Sequence, residues 1–526
     1  MNKKLEKIIK EALVSVGITD ANFSLEHPGD KKMGDYSTNV AIKNGNKKGE
    51  IFKLIQDNLP KGVERVELVG PGFINFYLSK EFFKESLKEI IEKSDSFGKG
   101  EHAKGFKVMV EHTQPNPFKQ LHIGHMMNNA IGESLARIIK WNGAEVKTAS
   151  YHGDVGLHAA KAVWAMKKGE DFEKAYAAGS KAYDVSEGIK KEIQEINKKI
   201  YDRTDPEIND LYDAGRRTSI EQFESMYKRL GTKFDYSFYE SESGGTGKEL
   251  VLQNLGKIFE ESEGAVIFKG ENYGLHTRVF LNKDRLPTYE AKELGLAQIK
   301  SDLFSFDQSV TITANEQNDF FKVVEVAIGE VFPDLKGKLK HLSHGMLRLP
   351  GGKMSSRTGD VITAEELIDQ VKGKVKDDEQ VAIGAIKYMI LRQGVGQDIV
   401  FDLEKSVSTE GDSGVYLQYA HARANSILEK AGKKGSASSE SGEVREVEKL
   451  LYRFPEIIYR AGKDYAPNHI VTYLTELASA FNNFYAHEQV LDDSAESSYR
   501  LAVVEAFKIV MRNGLQVLGI PAPERM

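Results

Sequence analysis

Two histidines separated by one isoleucine and one glycine, His122-Ile123-Gly124-His125, stand at the head of a segment with helical apolar spacing. That position brings two imidazoles together, one turn apart, at a helix N-terminus. There, ring N–H groups and unpaired helix amides can donate to phosphate oxygens, and the helix dipole adds positive potential. Gly124 leaves room for a nucleotide to lie against the backbone. The competing uses are a pair of capping surface histidines or a transition-metal pair. A metal pair needs a third ligand, and no His-Glu-x-x-His or comparable cluster accompanies it, so no protein metal site is expected.

Much further along lies Lys353-Met354-Ser355-Ser356-Arg357, introduced by Pro350-Gly351-Gly352 and followed by Thr358-Gly359-Asp360. A glycine-flanked loop of this kind suits triphosphate oxygens, with Lys353 and Arg357 supplying charge and the serines supplying hydrogen bonds. Alone, a basic loop is usually just solvated. Together with the histidine pair it becomes a strong signal for triphosphate binding.

The elements that must position these residues follow from the pattern around them. From Phe106 the chain reads strand, loop, helix, strand, with Ile131, Leu135, Ile138 and Ile139 on one helical stripe and Gly143 as the stop. This βαβ unit predicts a parallel sheet with its ligand at the carboxyl end of the first strand. A charged helical region follows, and its alternating acidic and basic residues read as a solvated face. Strand-like AVIFKG, VFLN and SVTITA then predict that the sheet resumes after an insertion at about 165–265. The expected architecture is α/β multidomain. It comprises a small α+β N-terminal domain (1–100), a Rossmann-type catalytic domain (106–395, signature loop 350–360) and an all-α C-terminal domain (396–526).

Composition narrows the class. The chain has 526 residues, enough for several cores, and is 40% hydrophobic and 29% charged. It has no cysteine, so disulfides, thiolate metal cages and a cysteine nucleophile are excluded. The charged start lacks a following apolar core, and no apolar run suits a membrane span, so a cytoplasmic protein is expected. Its 72 basic and 78 acidic residues give a net −6, which argues against coating nucleic acid by bulk attraction.

The two motifs resemble the HIGH and KMSKS signatures of class I aminoacyl-tRNA synthetases. Further segments resemble the arginyl branch in particular: GDYSTNVA, VGPGFINFYLS, PNPFKQLHIGH, YHGDVG, LPTYEAKEL, TEGDSGVYLQYAHAR and the ending NGLQVLGIPAPERM. The resemblance runs in the family's order from about Gly34 to Met526. Synthetases for other amino acids share the two signatures but not these segments. Nucleotidyltransferases that adenylate a small carboxylate are shorter and lack a helical C-terminal domain. A catalytically silent tRNA-binding paralogue would not need both phosphate motifs.

The resemblance implies ATP-dependent attachment of L-arginine to the 3′ end of tRNA(Arg) through an arginyl-adenylate, with ATP carrying its Mg²⁺. A monomer is expected. His122, Gly124 and His125 would face the triphosphate, and Lys353, Met354, Ser355, Ser356 and Arg357 the leaving pyrophosphate. Ser356 stands where the signature has a lysine, and Lys119, just before the histidines, is the expected replacement. Glu111, Asn116, Tyr289, Glu293, Glu316 and Gln317 match family positions that hold arginine. Three departures stand out: Glu293 for the usual Asp, Asn315-Glu316-Gln317 for Asp-Gln-His, and Met127 for an arginine. Tyr416, Gln418, Tyr419 and Arg423 are expected at the tRNA, with the N-terminal domain on its elbow and the C-terminal domain on its anticodon.

Overall fold

The computed structural model describes residues 1–19, 22–350 and 362–526. Lys353, Met354, Ser355, Ser356 and Arg357 lie outside the described residues. At the centre is a five-stranded parallel sheet, ordered Leu339–His344, Gln308–Ala314, Lys107–Glu111, Glu145–His152, Tyr236–Tyr239. Val108, Met109 and Val110 are buried, as a strand covered by helices on both faces requires. The first strand sits in the middle, with later strands added on either side. Its carboxyl end is therefore the switch point where such sheets bind ligands.

Helix Ile123–Trp141 buries the predicted stripe of Ile131, Leu135 and Ile138. It ends at Gly143, whose φ of +99° lies in the region that glycine alone enters without strain. A Cβ there would also come within 2.8 Å of the Gly100 carbonyl oxygen, so the stop is a close backbone approach as well.

Two expectations need correction. The insertion placed at about 165–265 contains Tyr236–Tyr239, which is hydrogen-bonded in register to Glu145–His152 as an edge strand of the main sheet. Only helices Phe172–Val185, Glu187–Asp202 and Pro206–Leu230 intervene between the preceding helix Leu157–Lys167 and that strand. Nor do the segments at Ala265–Phe268 and Arg278–Leu281 rejoin the parallel sheet. They pair antiparallel with each other in a separate three-stranded sheet, and of the three expected segments only Gln308–Ala314 joins the main one.

The N-terminal unit packs helices Asn2–Ser15 and Lys48–Asp57 on a four-stranded antiparallel sheet, with Gly70-Pro71-Gly72 in the turn of its main hairpin. Its Tyr36 hydroxyl donates to Glu456 Oε1 (2.5 Å), and so ties it to the C-terminal helices. Those helices form the long pair Asn468–His487 and Ser497–Val517, with Gly414–Ala431 packed against both. Phe481 and Phe507 stack at 3.7 Å, a contact worth about 1 kcal/mol beyond burial.

One continuous core joins the signature helix to the C-terminal helices. Buried Lys387 reinforces that junction, donating to the carbonyls of Leu230 and Gly519 at 2.7 Å each. Among the described residues no helix is long and apolar enough to cross a membrane.

Candidate active site

His122 is the N-cap of its helix, and its Nδ1 accepts from the Gly124 amide (3.1 Å). His125 Nδ1 accepts in turn from the His122 amide (3.2 Å), so the two rings complete a capping box and stack at 3.8 Å. A ring nitrogen that accepts from a backbone N–H carries no proton. Both imidazoles therefore hold theirs on Nε2, the edge turned away from the helix backbone. Burial, with Lys119 adding to it, lowers His122 to about 4. Burial, then His122 and Lys119, holds His125 well below its usual value. At neutral pH the pair is a set of two neutral donors, and positive charge comes from Lys119 beside them.

The segment leaving the signature loop is anchored to this pair. Ile123 N donates to Ile362 O (3.3 Å), Ala364 N donates to Leu121 O (2.8 Å), and His122 and Thr363 form a β-bridge. Thr363 in turn caps helix Ala364–Lys372. The residues that follow the second motif thus share one backbone junction with the first.

The loop from strand to signature helix carries three non-glycine residues in the left-handed region, Thr113, Gln114 and Phe118 (φ +77°, +49°, +67°). Such backbone costs of order 1–3 kcal/mol per residue and persists only where neighbours hold it. Asn128 Oδ1 accepts from Thr113 N (3.0 Å), and Asn129 Nδ2 donates to Thr113 Oγ1 (3.1 Å). From the insertion, Ser219 Oγ accepts from Phe118 N (2.8 Å), and Gly215 lies so close to the Phe118 ring that a Cβ would clash. Arg216 pairs with fully buried Asp154 (2.9 Å). The helical insertion clamps the site-forming loop.

Glu111 ends the first strand and is wholly buried. Its Oε1 accepts from Gln114 Nε2 (2.6 Å), and its Oε2 is ion-paired with Lys300. Glu293 lies on helix Tyr289–Leu303, close enough that Glu111 acts on it. Burial, then the Glu111 charge, raises its carboxyl to about 8. Asn116 Oδ1 and Glu240 Oε1 converge over Gly153, where a Cβ would meet them at 2.5 and 3.0 Å. Glu240 itself pairs with buried Lys292 (2.6 Å). Tyr289, one turn before Glu293, is 64% exposed.

Other expected site residues stand as follows. Glu316 and Gln317 occupy an exposed turn after strand Gln308–Ala314, and among the described residues neither joins the polar network around Glu111. Met127 is buried in the core. Gln418 is wholly buried, donating to the carbonyls of Gln380 (3.1 Å) and Pro521 (2.9 Å). It is a structural tie for the terminal segment and is closed to RNA. Tyr416 is half-buried and accepts from Asn482 (2.9 Å). Tyr419 is exposed, with the Arg423 guanidinium 4.7 Å above its ring and 5.6 Å from that of Tyr485.

Sequence reading passed over Lys300, Glu240, Lys292 and Gly153. Two signals were present. Lys300 is two helical turns from Glu293, hence on its face, and Glu240 follows a strand of the sheet at its carboxyl end.

Three family models match the chain. They are the arginyl tRNA synthetase N terminal domain (3–78), the class I (R) tRNA synthetase catalytic domain (86–403) and the DALR anticodon binding domain (417–526). The arginine–tRNA ligase of Lactococcus lactis subsp. cremoris (strain MG1363) is 31% identical, over 91% of this chain and 90% of its own. That of Ligilactobacillus salivarius (strain UCC118) is 30% identical, over 99% of each. Among solved structures, an arginyl-tRNA synthetase of Thermus thermophilus superposes with a TM-score of 0.76 at 24% identity, covering 100% of both chains. One from Plasmodium falciparum gives 0.82 at 19% identity, covering 100% of this chain and 99% of that one. With a two-histidine helix cap at the sheet's switch point, buried carboxylates at the end of the same sheet and matches along nearly its whole length, the chain belongs to the class I arginyl-tRNA synthetase family.

Proposed function

We propose that this chain's own residues divide the family reaction, ATP-dependent arginylation of tRNA, between two ends of one cleft. In the first step the arginine carboxylate attacks the α-phosphorus of ATP, forming a mixed anhydride as the bond to pyrophosphate breaks. In the second, a terminal adenosine hydroxyl of tRNA attacks the activated carbonyl and AMP leaves. Neither step needs a protein nucleophile; both need positioning and charge stabilisation.

At the phosphate end, His122 and His125 present Nε2–H donors to the triphosphate, and Lys119 supplies charge beside them. Lys353, Met354, Ser355, Ser356 and Arg357 hold the leaving pyrophosphate, and Mg²⁺ enters with the nucleotide. At the amino-acid end, Glu111 and Asn116 meet the α-ammonium, while Glu293 takes the guanidinium beneath Tyr289. Tyr419 and Arg423 offer a stacking platform for unpaired bases. The enzyme works as a cytoplasmic monomer.

The observation that carries this reading is the capping box, which fixes both tautomers and aims both donors. The test is His125→Ala under single turnover with ATP, Mg²⁺, arginine and tRNA. Loss of one preorganised donor lowers adenylate formation by about 10²–10³-fold with tRNA affinity unchanged. Adenylate formation at the wild-type rate would refute the assignment.

A further inference from the structure

The buried carboxylate that ends the first sheet strand already has a cation of its own. Lys300 is 4% exposed, and its Nζ is ion-paired with Glu111 Oε2, an oxygen that has no hydrogen bond. The other oxygen is held by Gln114, so the carboxylate is gripped on both sides. Lys300 shares its helix with Tyr289 and Glu293, at positions that follow one face. Burying a lysine is costly unless an opposite charge offsets its desolvation, and here the Glu111 carboxylate does so. Glu111 pushes Glu293 toward its protonated form and Lys300 opposes that.

The remaining charged and titratable groups around the cluster balance one another or stay neutral. Glu240 is paired with Lys292, and Glu290 sits near Arg278 (3.6 Å). From the neighbouring strand, burial keeps Tyr151 protonated and lowers His152.

We propose that Lys300 is a positioning and specificity-determining residue of the amino-acid pocket: its ammonium fixes and neutralises Glu111, leaving Glu293 as the acid that selects a side-chain cation. The inference rests on the pocket assignment above and adds to it a residue that need not touch arginine. Without Lys300, the uncompensated Glu111 charge makes Glu293 hold its proton more tightly, and arginine must expel that proton at a greater cost to bind. The loss is then electrostatic, and pH can repair it.

The test is aminoacylation by the full chain from roughly pH 6 to pH 8.5, comparing wild type, Lys300→Met, Lys300→Gln and Lys300→Arg. Thermal melts confirm that each variant is folded. In Lys300→Met and Lys300→Gln the arginine KM rises and its fall with pH moves to higher pH, while kcat changes little. Each pH unit of that displacement raises KM at pH 7 by about tenfold. Lys300→Arg, which keeps the charge, keeps the wild-type profile. A folded neutral variant with an unmoved profile overturns the proposal, whether or not its overall activity falls. If Lys300→Met does not fold, the glutamine variant, polar and of similar length, is read in the same way. Wild-type charging in the same series reports separately on the pocket assignment, since failure there would strike Glu111 and Glu293 and not Lys300 alone.

Discussion

Acidification should weaken arginine binding through one identifiable carboxyl group. Glu293 is raised to about 8, first by burial and next by the Glu111 charge. The guanidinium is charged at every accessible pH and calls for an ionised partner. In the free protein below about pH 8, Glu293 holds a proton that arginine must displace. The arginine KM therefore falls as pH rises and levels off above that point. At pH 7 protonated and ionised forms stand at about ten to one, a difference of about 1.4 kcal/mol, so KM is about tenfold above its plateau. Another unit of acid adds about tenfold more. The assay is steady-state aminoacylation at saturating ATP and tRNA near pH 6, 7 and 8. Glu293→Gln serves as the control: it cannot titrate, so its KM is high and flat. A wild-type KM constant within twofold across that range would refute the reasoning.

Two further outcomes follow from particular contacts. Gln418→Ala leaves the carbonyls of Gln380 and Pro521 without their donor, and lowers stability by about 1–3 kcal/mol in denaturant melts. Its tRNA affinity, measured by filter binding, stays at wild type; a selective loss of affinity in a stable protein would contradict the structural role. Gly153→Ala drives a methyl group into Asn116 and Glu240, and kcat/KM for arginine falls by about a hundredfold, as ångström-scale misplacement of binding groups does. Unchanged kinetics would show that these side chains do not define the pocket.

The centre of the fold was legible because local and global signals agree there. The stripe of Ile131, Leu135 and Ile138, the histidines before it and Gly143 after it all specify one helix, and the flanking apolar runs specify parallel strands. Tyr236–Tyr239 was hidden for the opposite reason. It is a four-residue edge strand between two helices, with Phe238 buried and Ser237 exposed, too short for periodicity to outweigh its surroundings. Its parallel partner lies far back in the chain, so only tertiary pairing identifies it.

The site divides in the same way. Residue type and spacing revealed His122 and His125, but the charge state of the pair depends on burial. Gln418 looked like an RNA contact because it is polar and sits on a helix beside Tyr419. Its partners come from residues far away in sequence and close it to solvent. Glu316 and Gln317 were expected at the arginine by family position alone; they stand in an exposed turn at the carboxyl end of the strand beside Lys107–Glu111. Thr113, Gln114 and Phe118 adopt left-handed backbone although none of them is Gly or Asn, since the insertion and the signature helix hold the loop from outside.

The central claim is that a two-histidine phosphate site and an acid-lined pocket together make an enzyme that attaches arginine to tRNA. It is tested most directly by charging a total tRNA pool, with ATP and Mg²⁺, using each labelled amino acid in turn. The account predicts acid-precipitable label with arginine alone. Charging by a different amino acid, or none with arginine, would contradict it.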